Sequence, residues 1–281
     1  MTDLINFGHI QTSSAPCASA AFVIPKRDIY EMCLVIDYRA LQKSIVKNRY
    51  PLHRIEELLD TLQGAKWFTK LDLTAGYHQA RMNLDDVWKT TFKTKFGLYE
   101  WKVMPLGLTN ALATFMRLIN DIFRNHLGCI VVIYLDDILI FSRTWDTHLH
   151  NVHQILQLLR EHKLQVKEKK SYFGQSLVPY LGFVVNLEGI QPDPAHNKAL
   201  QQWPLPSSPS ELKSFLSGIN FCHKFILHFS QIARPLHQLS NNSATFIWTN
   251  KATNHFSHLK KALCSSPVLH FPDLSQPFKI E

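Results

Sequence analysis

The chain has 281 residues, 46% of them hydrophobic, with 18 Phe, 6 Trp and no low-complexity tract. This excludes a disordered or fibrous chain and allows one large domain or two to three smaller ones. Lys and Arg number 30 against 22 Asp and Glu, a formal net charge of +8, which suits a polyanionic partner, nucleic acid or an acidic membrane surface. No apolar run reaches the roughly 20 residues of a membrane helix. "MTDLINFGHIQTSSAP" lacks the basic and apolar regions of a signal peptide. The five cysteines (Cys17, Cys33, Cys129, Cys222, Cys264) are scattered and form no CxxC pair. The expected setting is therefore reducing and intracellular, with no membrane.

In chain order, "AAFVI" (20–24) and "CLVID" (33–37) read as two strands joined by a charged turn. Ile55, Leu58, Leu59 and Leu62 recur at helical spacing, with Pro51 suited to the helix start and Gly64 to its end. "WFTKLDL" follows as a strand, and "TTFKTKFGLYEWKVMP" as a hairpin turning near Gly97. A helix is expected from Thr109 or Asn110 to Gly128. "VVIYLDDILIFS" (131–142) reads as strand, tight turn and strand. The next helix is expected to bury Leu149, Val152, Leu156 and Leu159. "VPYLGFVVN" reads as another short strand, and "KLQVKEKK" as a solvated surface run. Beyond about residue 195 the pattern turns helical. Ser208-Pro209-Ser210-Glu211 has the form of a capping box, followed by an apolar face of Leu212, Phe215, Leu216 and Ile219. A last helix carries Phe256, Leu259 and Leu263. The order predicts an α+β body followed by a mostly helical region.

Asp136 and Asp137 stand in the middle of an apolar run. Aspartates are ordinary turn residues, but ionised carboxylates are costly among apolar strands unless paired, hydrogen-bonded or bound to metal. Asp72 has the same character at the end of "WFTKLD". If the two strands are neighbours in one sheet, Asp72 and Asp136 meet at one edge. Carboxylates about 4 Å apart repel by on the order of 4 kcal/mol at an effective dielectric of 20, so such a cluster calls for cations. Hard oxygen ligands select Mg²⁺ or Mn²⁺, and two such ions clamp an in-line phosphoryl displacement.

"YLDD", "LDLTAGYHQ", "VMPLGLTNALATF", "YLGFVV", "VIDYRAL", "NRYPLHRIEELLD" and "ELKSFLSGINFCHKFI" resemble, in order and spacing, the reverse transcriptases of gypsy-type long-terminal-repeat retrotransposons and, more distantly, of retroviruses. The resemblance covers nearly the whole chain. It implies a right-hand polymerase fold, with fingers and palm over 1–195, a thumb-like region over 196–245 and a connection over 246–281. It implies RNA-directed DNA synthesis on an RNA or DNA template with a primer and dNTPs. One metal ion would activate the primer 3′-hydroxyl and the other would steady the leaving pyrophosphate.

By the same resemblance, Asp72, Asp136 and Asp137 are the catalytic carboxylates. The first two are the principal ligands of two Mg²⁺ or Mn²⁺ ions, and Asp137 supports them. Leu73, Thr74, Ala75 and Gly76 hold the triphosphate through their backbone. Tyr77 is an aromatic gate against the ribose 2′-hydroxyl; without the family it would be read as a core aromatic. It also argues against an RNA-templated RNA polymerase. Lys26 and Arg27 are basic fingers residues that bind the nucleotide, Arg39 contacts template, and Leu181 and Gly182 form a primer grip.

Four departures from the family pattern stand out. Cys33 replaces an arginine that binds the triphosphate, Leu112 and Ala20 replace prolines, and Met116 replaces a glutamine that supports the nucleotide sugar. Losing one such arginine costs roughly 3 kcal/mol of transition-state stabilisation, about a hundredfold in rate. The chain closes at "QPFKIE", just before the family's ribonuclease H region, so cleavage of RNA in hybrids is not expected. A second reading is a decayed or domesticated element that binds nucleic acid without efficient catalysis.

Overall fold

The computed structural model describes residues 1–25, 32–241, 246–264, 268–269 and 271. Its elements run α1 (Thr2–Asn6), β1 (Ile10–Thr12), β2 (Ser19–Pro25), β3 (Met32–Ile36), α2 (Arg39–Gln42), α3 (Ile55–Asp60), β4 (Trp67–Asp72), β5 (Phe92–Thr94) and β6 (Gly97–Trp101). They continue α4 (Ala111–Phe123), β7 (Val131–Tyr134), β8 (Asp137–Ser142), α5 (Trp145–Glu161), β9 (Tyr172–Gln175), β10 (Leu177–Tyr180), β11 (Phe183–Asn186) and β12 (Gly189–Pro192). The helices α6 (Pro194–Gln201), α7 (Pro209–Asn220), α8 (Phe229–Asn241) and α9 (Asn250–Cys264) follow. Among the described residues no helix is long and apolar enough to cross a membrane.

The chain forms two compact units: Met1–Thr61 with Thr69–Ile140 and Asp146–Phe173, and Leu62–Phe68 with Phe141–Trp145 and Gly174–Glu281. The first holds a five-stranded sheet in the order β1-β6-β5-β2-β3, covered by a core of Ile10, Ile36, Tyr38, Phe92, Trp101 and Val103. It also holds most of a four-stranded sheet, β7-β8-β4-β9. Leu71, Ile133, Ile138 and Ile140 of that sheet pack with Phe115 and Ile119 of α4 and Ile155 of α5. The expected hairpins are present: β2 pairs β3 antiparallel, β5 pairs β6 with Thr94 opposite Gly97, and β7 pairs β8 with Tyr134 opposite Asp137.

Several details differ from the sequence reading, including helix α4, which ends at Phe123 rather than Gly128. Residues 178–186 are two strands, because Leu181 and Gly182 form a two-residue turn with φ of +50° and +77°, both in the left-handed region. Such turns match the twist of paired strands. Helix α5 is rotated by about one residue. It buries His148, Asn151, Ile155 and Leu159 and leaves Leu149 and Leu156 exposed. Hydrogen bonding makes this affordable, since His148 Nε2 lies 2.8 Å from Thr69 Oγ1 on β4. Helix α3 starts at Ile55 rather than near Pro51, with Arg54 still extended.

The second unit pairs the sheet β10-β11-β12 with α6 to α9. Asp193 caps α6, accepting from Ala195 N–H at 2.8 Å. The capping box of α7 forms in altered shape. Ser208 Oγ accepts from Glu211 N–H at 3.3 Å, while Glu211 Oε2 accepts from Ser207 N–H at 2.7 Å, one residue earlier than the motif prescribes. Leu212, Phe215, Leu216 and Ile219 are buried, and Phe215 meets Phe256 of α9 at 4.4 Å between ring centroids.

Candidate active site

Asp72 is the last residue of β4, Asp136 lies in the turn between β7 and β8, and Asp137 opens β8. Strands β4 and β8 are neighbours in the sheet, so the chain brings all three carboxylates to one end of adjacent strands. Leu73 N–H donates to Asp136 carbonyl O at 3.3 Å and ties the end of β4 to that turn. Leu135 takes φ +56° to make the turn. A bulky residue there is costly and persists where the surroundings over-determine it.

The Asp136 carboxylate is the most stressed of the three. Its Oδ1 is buried and has no hydrogen-bond partner among the described residues. Burial, then the charges of Asp137 and Asp72, hold its carboxyl above the usual carboxylate range. Asp137 is compensated instead: Lys70 Nζ lies 3.1 Å from its Oδ1.

The loop after Asp72 is shaped around Asp136. Ala75 has φ +47°, and a 3-10 turn runs Gly76–Gln79. A Cβ at Gly76 would lie 2.9 Å from Asp136 Oδ1 and 3.1 Å from Phe115 Cζ, so glycine is what lets the carboxylate and the backbone meet. Gln79 clamps the loop. Its Nε2 donates to Thr74 O at 2.6 Å and Gln165 O at 3.0 Å, and its Oε1 accepts from Gln165 N–H at 2.6 Å. The amides of Leu73 and Thr74 are committed within the fold, Thr74 N–H donating to Gln165 O at 2.9 Å. The 163–170 run, read as solvated surface, also lines the end of β4, together with Ser171 after it. Lys167 N–H donates to Asp72 O at 2.8 Å, and Asp72 N–H donates to Ser171 Oγ at 3.3 Å.

Tyr77 is half-buried beside Phe115, with ring centroids 5.3 Å apart. Burial, then the Asp136 charge, push its hydroxyl pKa up. Met116 is different from expectation. Only 1% of it is exposed, so it is core on α4 and offers no surface to a nucleotide. Arg39 is exposed and forms a two-pronged pair with Asp37, at 2.9 and 2.7 Å, which pulls the Asp37 carboxyl down to about 2. Leu181 and Gly182 form the β10–β11 turn in the second unit, where a Cβ on Gly182 would meet Phe221 Cζ at 2.9 Å. Lys26, Arg27 and the side chain of Cys33 lie outside the described residues.

Lys70, Gln79 and Phe115 escaped the sequence reading. A strand lysine and a loop glutamine look solvated, and Phe115 looks like core. The available signal was spacing, since Lys70 precedes Asp72 by two and Gln79 follows Tyr77 by two. Among the described residues no three His, Cys, Asp or Glu side chains converge tightly enough to hold a metal ion unaided.

The family described as "Reverse transcriptase (RNA-dependent DNA polymerase)" matches residues 24–185. The chain is 36% identical over 99% of its length to the retrovirus-related Pol polyprotein from transposon opus of Drosophila melanogaster, covering 29% of that protein. It is 35% identical over its full length to the transposon Tf2-3 polyprotein of Schizosaccharomyces pombe, covering 21% of it. The chain thus spans under a third of the length of these relatives. Among solved structures, a foamy viral protease-reverse transcriptase in complex with double-stranded DNA superposes with a TM-score of 0.91 at 26% identity, covering 98% of this chain and 58% of that one. A complex of a foamy viral protease-reverse transcriptase with an RNA/DNA hybrid gives 0.87 at 26% identity, covering 96% and 36%. The α+β architecture is that of a right-hand polymerase, and the chain belongs to the reverse transcriptase (RNA-dependent DNA polymerase) family.

Proposed function

We propose that the chain is the RNA-directed DNA polymerase portion of a retrotransposon Pol polyprotein, adding deoxynucleotides from dNTPs to a primer 3′-hydroxyl on an RNA or DNA template. The observation that carries this is the buried, unpartnered Oδ1 of Asp136, crowded by the charges of Asp137 and Asp72. A carboxylate so placed fits a cation better than a solvated surface does. In this reading Asp72 and Asp136 hold two Mg²⁺ or Mn²⁺ ions and Asp137 supports them. Divalent ions bound by Asp72 and Asp136 would supply Lewis-acid stabilisation of charge on the attacking and leaving oxygens.

This chain's own residues do the positioning. With Leu73 and Thr74 committed internally, the amides of Ala75 and Gly76 are left to meet the triphosphate. The Tyr77 ring, braced by Phe115, fills the space a ribose 2′-hydroxyl would need. The Leu181–Gly182 turn is the primer grip, Arg39 meets the template, and Lys26 and Arg27 approach the phosphates. Met116 drops from the nucleotide contacts. We keep fingers and palm at 1–195, thumb at 196–245 and connection at 246–281. The complexes of the structural relatives with RNA/DNA hybrid and duplex DNA support nucleic acid as the partner. Transposon relatives support an intracellular setting in cytoplasm, nucleus or virus-like particle.

The test is primer extension with purified chain, RNA template, DNA primer, dNTPs and Mg²⁺, beside Asp136→Asn. Extension that the substitution abolishes sustains the reading. Intact hybrid binding without extension by either protein would identify a binding domain instead of a polymerase.

A further inference from the structure

Resting on the polymerase reading, the geometry points to Lys70 as a positioning residue: its ammonium holds Asp137 back from direct contact with the ions, so that Asp72 and Asp136 are their direct ligands and Asp137 supports the site by its charge. Lys70 and Asp72 are two residues apart on β4 and therefore share a face. Both are partly exposed, while Leu71 between them is buried. Asp137 reaches that same face, because its Oδ1 lies 3.1 Å from Lys70 Nζ. Without the ammonium, three carboxylates would compete for ions at one strand end. Among the described residues Lys70 is the one cation within ion-pair distance of any of the three.

The pair is only partly screened, with side-chain exposures of 16% for Lys70 and 26% for Asp137. An ion pair at that depth holds its geometry better than one on open surface. Lys70 thus contributes in two ways: it fixes where Asp137 points, and it sets the site's charge at minus two rather than minus three. Divalent affinity follows the number of ligand charges, so the lysine weakens ion binding while sharpening ion placement.

The experiment uses Mn²⁺ alone, titrated into the purified chain and followed by electron paramagnetic resonance without primer or nucleotide. Lys70→Met is expected to tighten Mn²⁺ binding on the order of tenfold. In primer extension it is expected to lower kcat on the order of tenfold with little change in KM for dNTP, since the ions are displaced rather than lost. Lys70→Arg keeps wild-type values in both assays. Asp137→Asn loosens Mn²⁺ binding, because the bare ammonium then opposes the ion. Combining Lys70→Met with Asp137→Asn restores wild-type affinity. Unchanged or weakened Mn²⁺ affinity in Lys70→Met, with circular dichroism showing an intact fold, overturns the proposal. If Lys70→Met does not fold, Asp137→Asn decides: wild-type Mn²⁺ affinity there overturns it equally. Asp136→Asn separates the two levels of argument. Loss of Mn²⁺ binding in that variant sustains the ion site whatever Lys70 does, and its retention brings down the site reading itself.

Discussion

A single carboxylate shows the exchange of stability for function most directly. Asp136 has its carboxyl pKa raised by burial and by two like charges. A group whose folded pKa lies above its unfolded one stabilises the fold when protonated, and that contribution is lost as pH rises through the folded value. In the absence of divalent ions, Asp136 therefore opposes folding at neutral pH. Asp136→Asn is expected to raise the EDTA-treated protein's Tm by roughly 1–3 °C at pH 7.5 while abolishing synthesis; the gain should shrink as pH falls toward 4. A lower Tm would contradict the strain assigned to this side chain. Gly76 is bound to the same geometry, since a methyl group there meets Asp136 Oδ1 and Phe115 Cζ. Gly76→Ala is expected to slow extension on the order of tenfold through a displaced carboxylate and to cost about 1 kcal/mol in urea unfolding. Equal rates in the two proteins would show that the Asp136 carboxylate yields freely. Asp72, Asp136 and Asp137 stood out in the sequence because charge amid apolar strands is conspicuous, whereas Tyr77 was singled out by the family resemblance alone. Lys70 and Gln79 were not, because their roles exist only once β4 meets β8 and the 165–171 segment. Met116 misled in the other direction, since family position promised a nucleotide contact where helix α4 supplies core.

Among the elements, apolar strand runs and hairpins were read well and helix phase less so. The β4 strand and the β7–β8 hairpin came straight from apolar runs and a tight turn. Helix α5 was misphased because hydropathy sends histidine and asparagine outward, whereas the fold buries His148 and Asn151. The Leu181–Gly182 turn was hidden inside an apolar run, with a leucine at a φ that leucine seldom takes. The His148–Thr69 contact ties α5 to the strand that ends in Asp72, and burial lowers the His148 imidazole pKa. A depressed histidine stabilises above its unfolded pKa and loses that contribution as pH falls through the folded one. His78 acts in the same direction, lowered by burial and by the neighbouring His9. Acidification from pH 7.5 to 5 should therefore lower the Tm. His148→Leu should flatten that dependence while costing about 1–3 kcal/mol at pH 7.5, because Thr69 loses the imidazole. Thermal melts of both proteins across this range check it, and an unchanged pH slope would remove His148 from the account. At the start of α7, Ser208→Ala is expected to cost about 1 kcal/mol, measured by urea denaturation.

At the scale of the whole molecule, charge links composition to the proposed partner. A formal charge of +8 coexists with an acidic cluster at the ends of β4 and β8, so the positive surplus must lie elsewhere on the surface. Nucleic acid binding through that surplus releases counterions, and the affinity then falls linearly in log–log form with salt. If about six phosphates are neutralised, the slope for a duplex should be about −5, and affinity should fall on the order of a thousandfold between 50 and 200 mM salt. Fluorescence anisotropy of a labelled RNA/DNA hybrid, titrated at several salt concentrations without divalent ions, measures this directly. Asp136→Asn should leave the slope unchanged, because the slope counts phosphate contacts and not catalytic groups. A slope near zero would mean that the net charge does not serve nucleic acid binding, and the partner assigned here would lose its electrostatic support even if the carboxylate geometry stood.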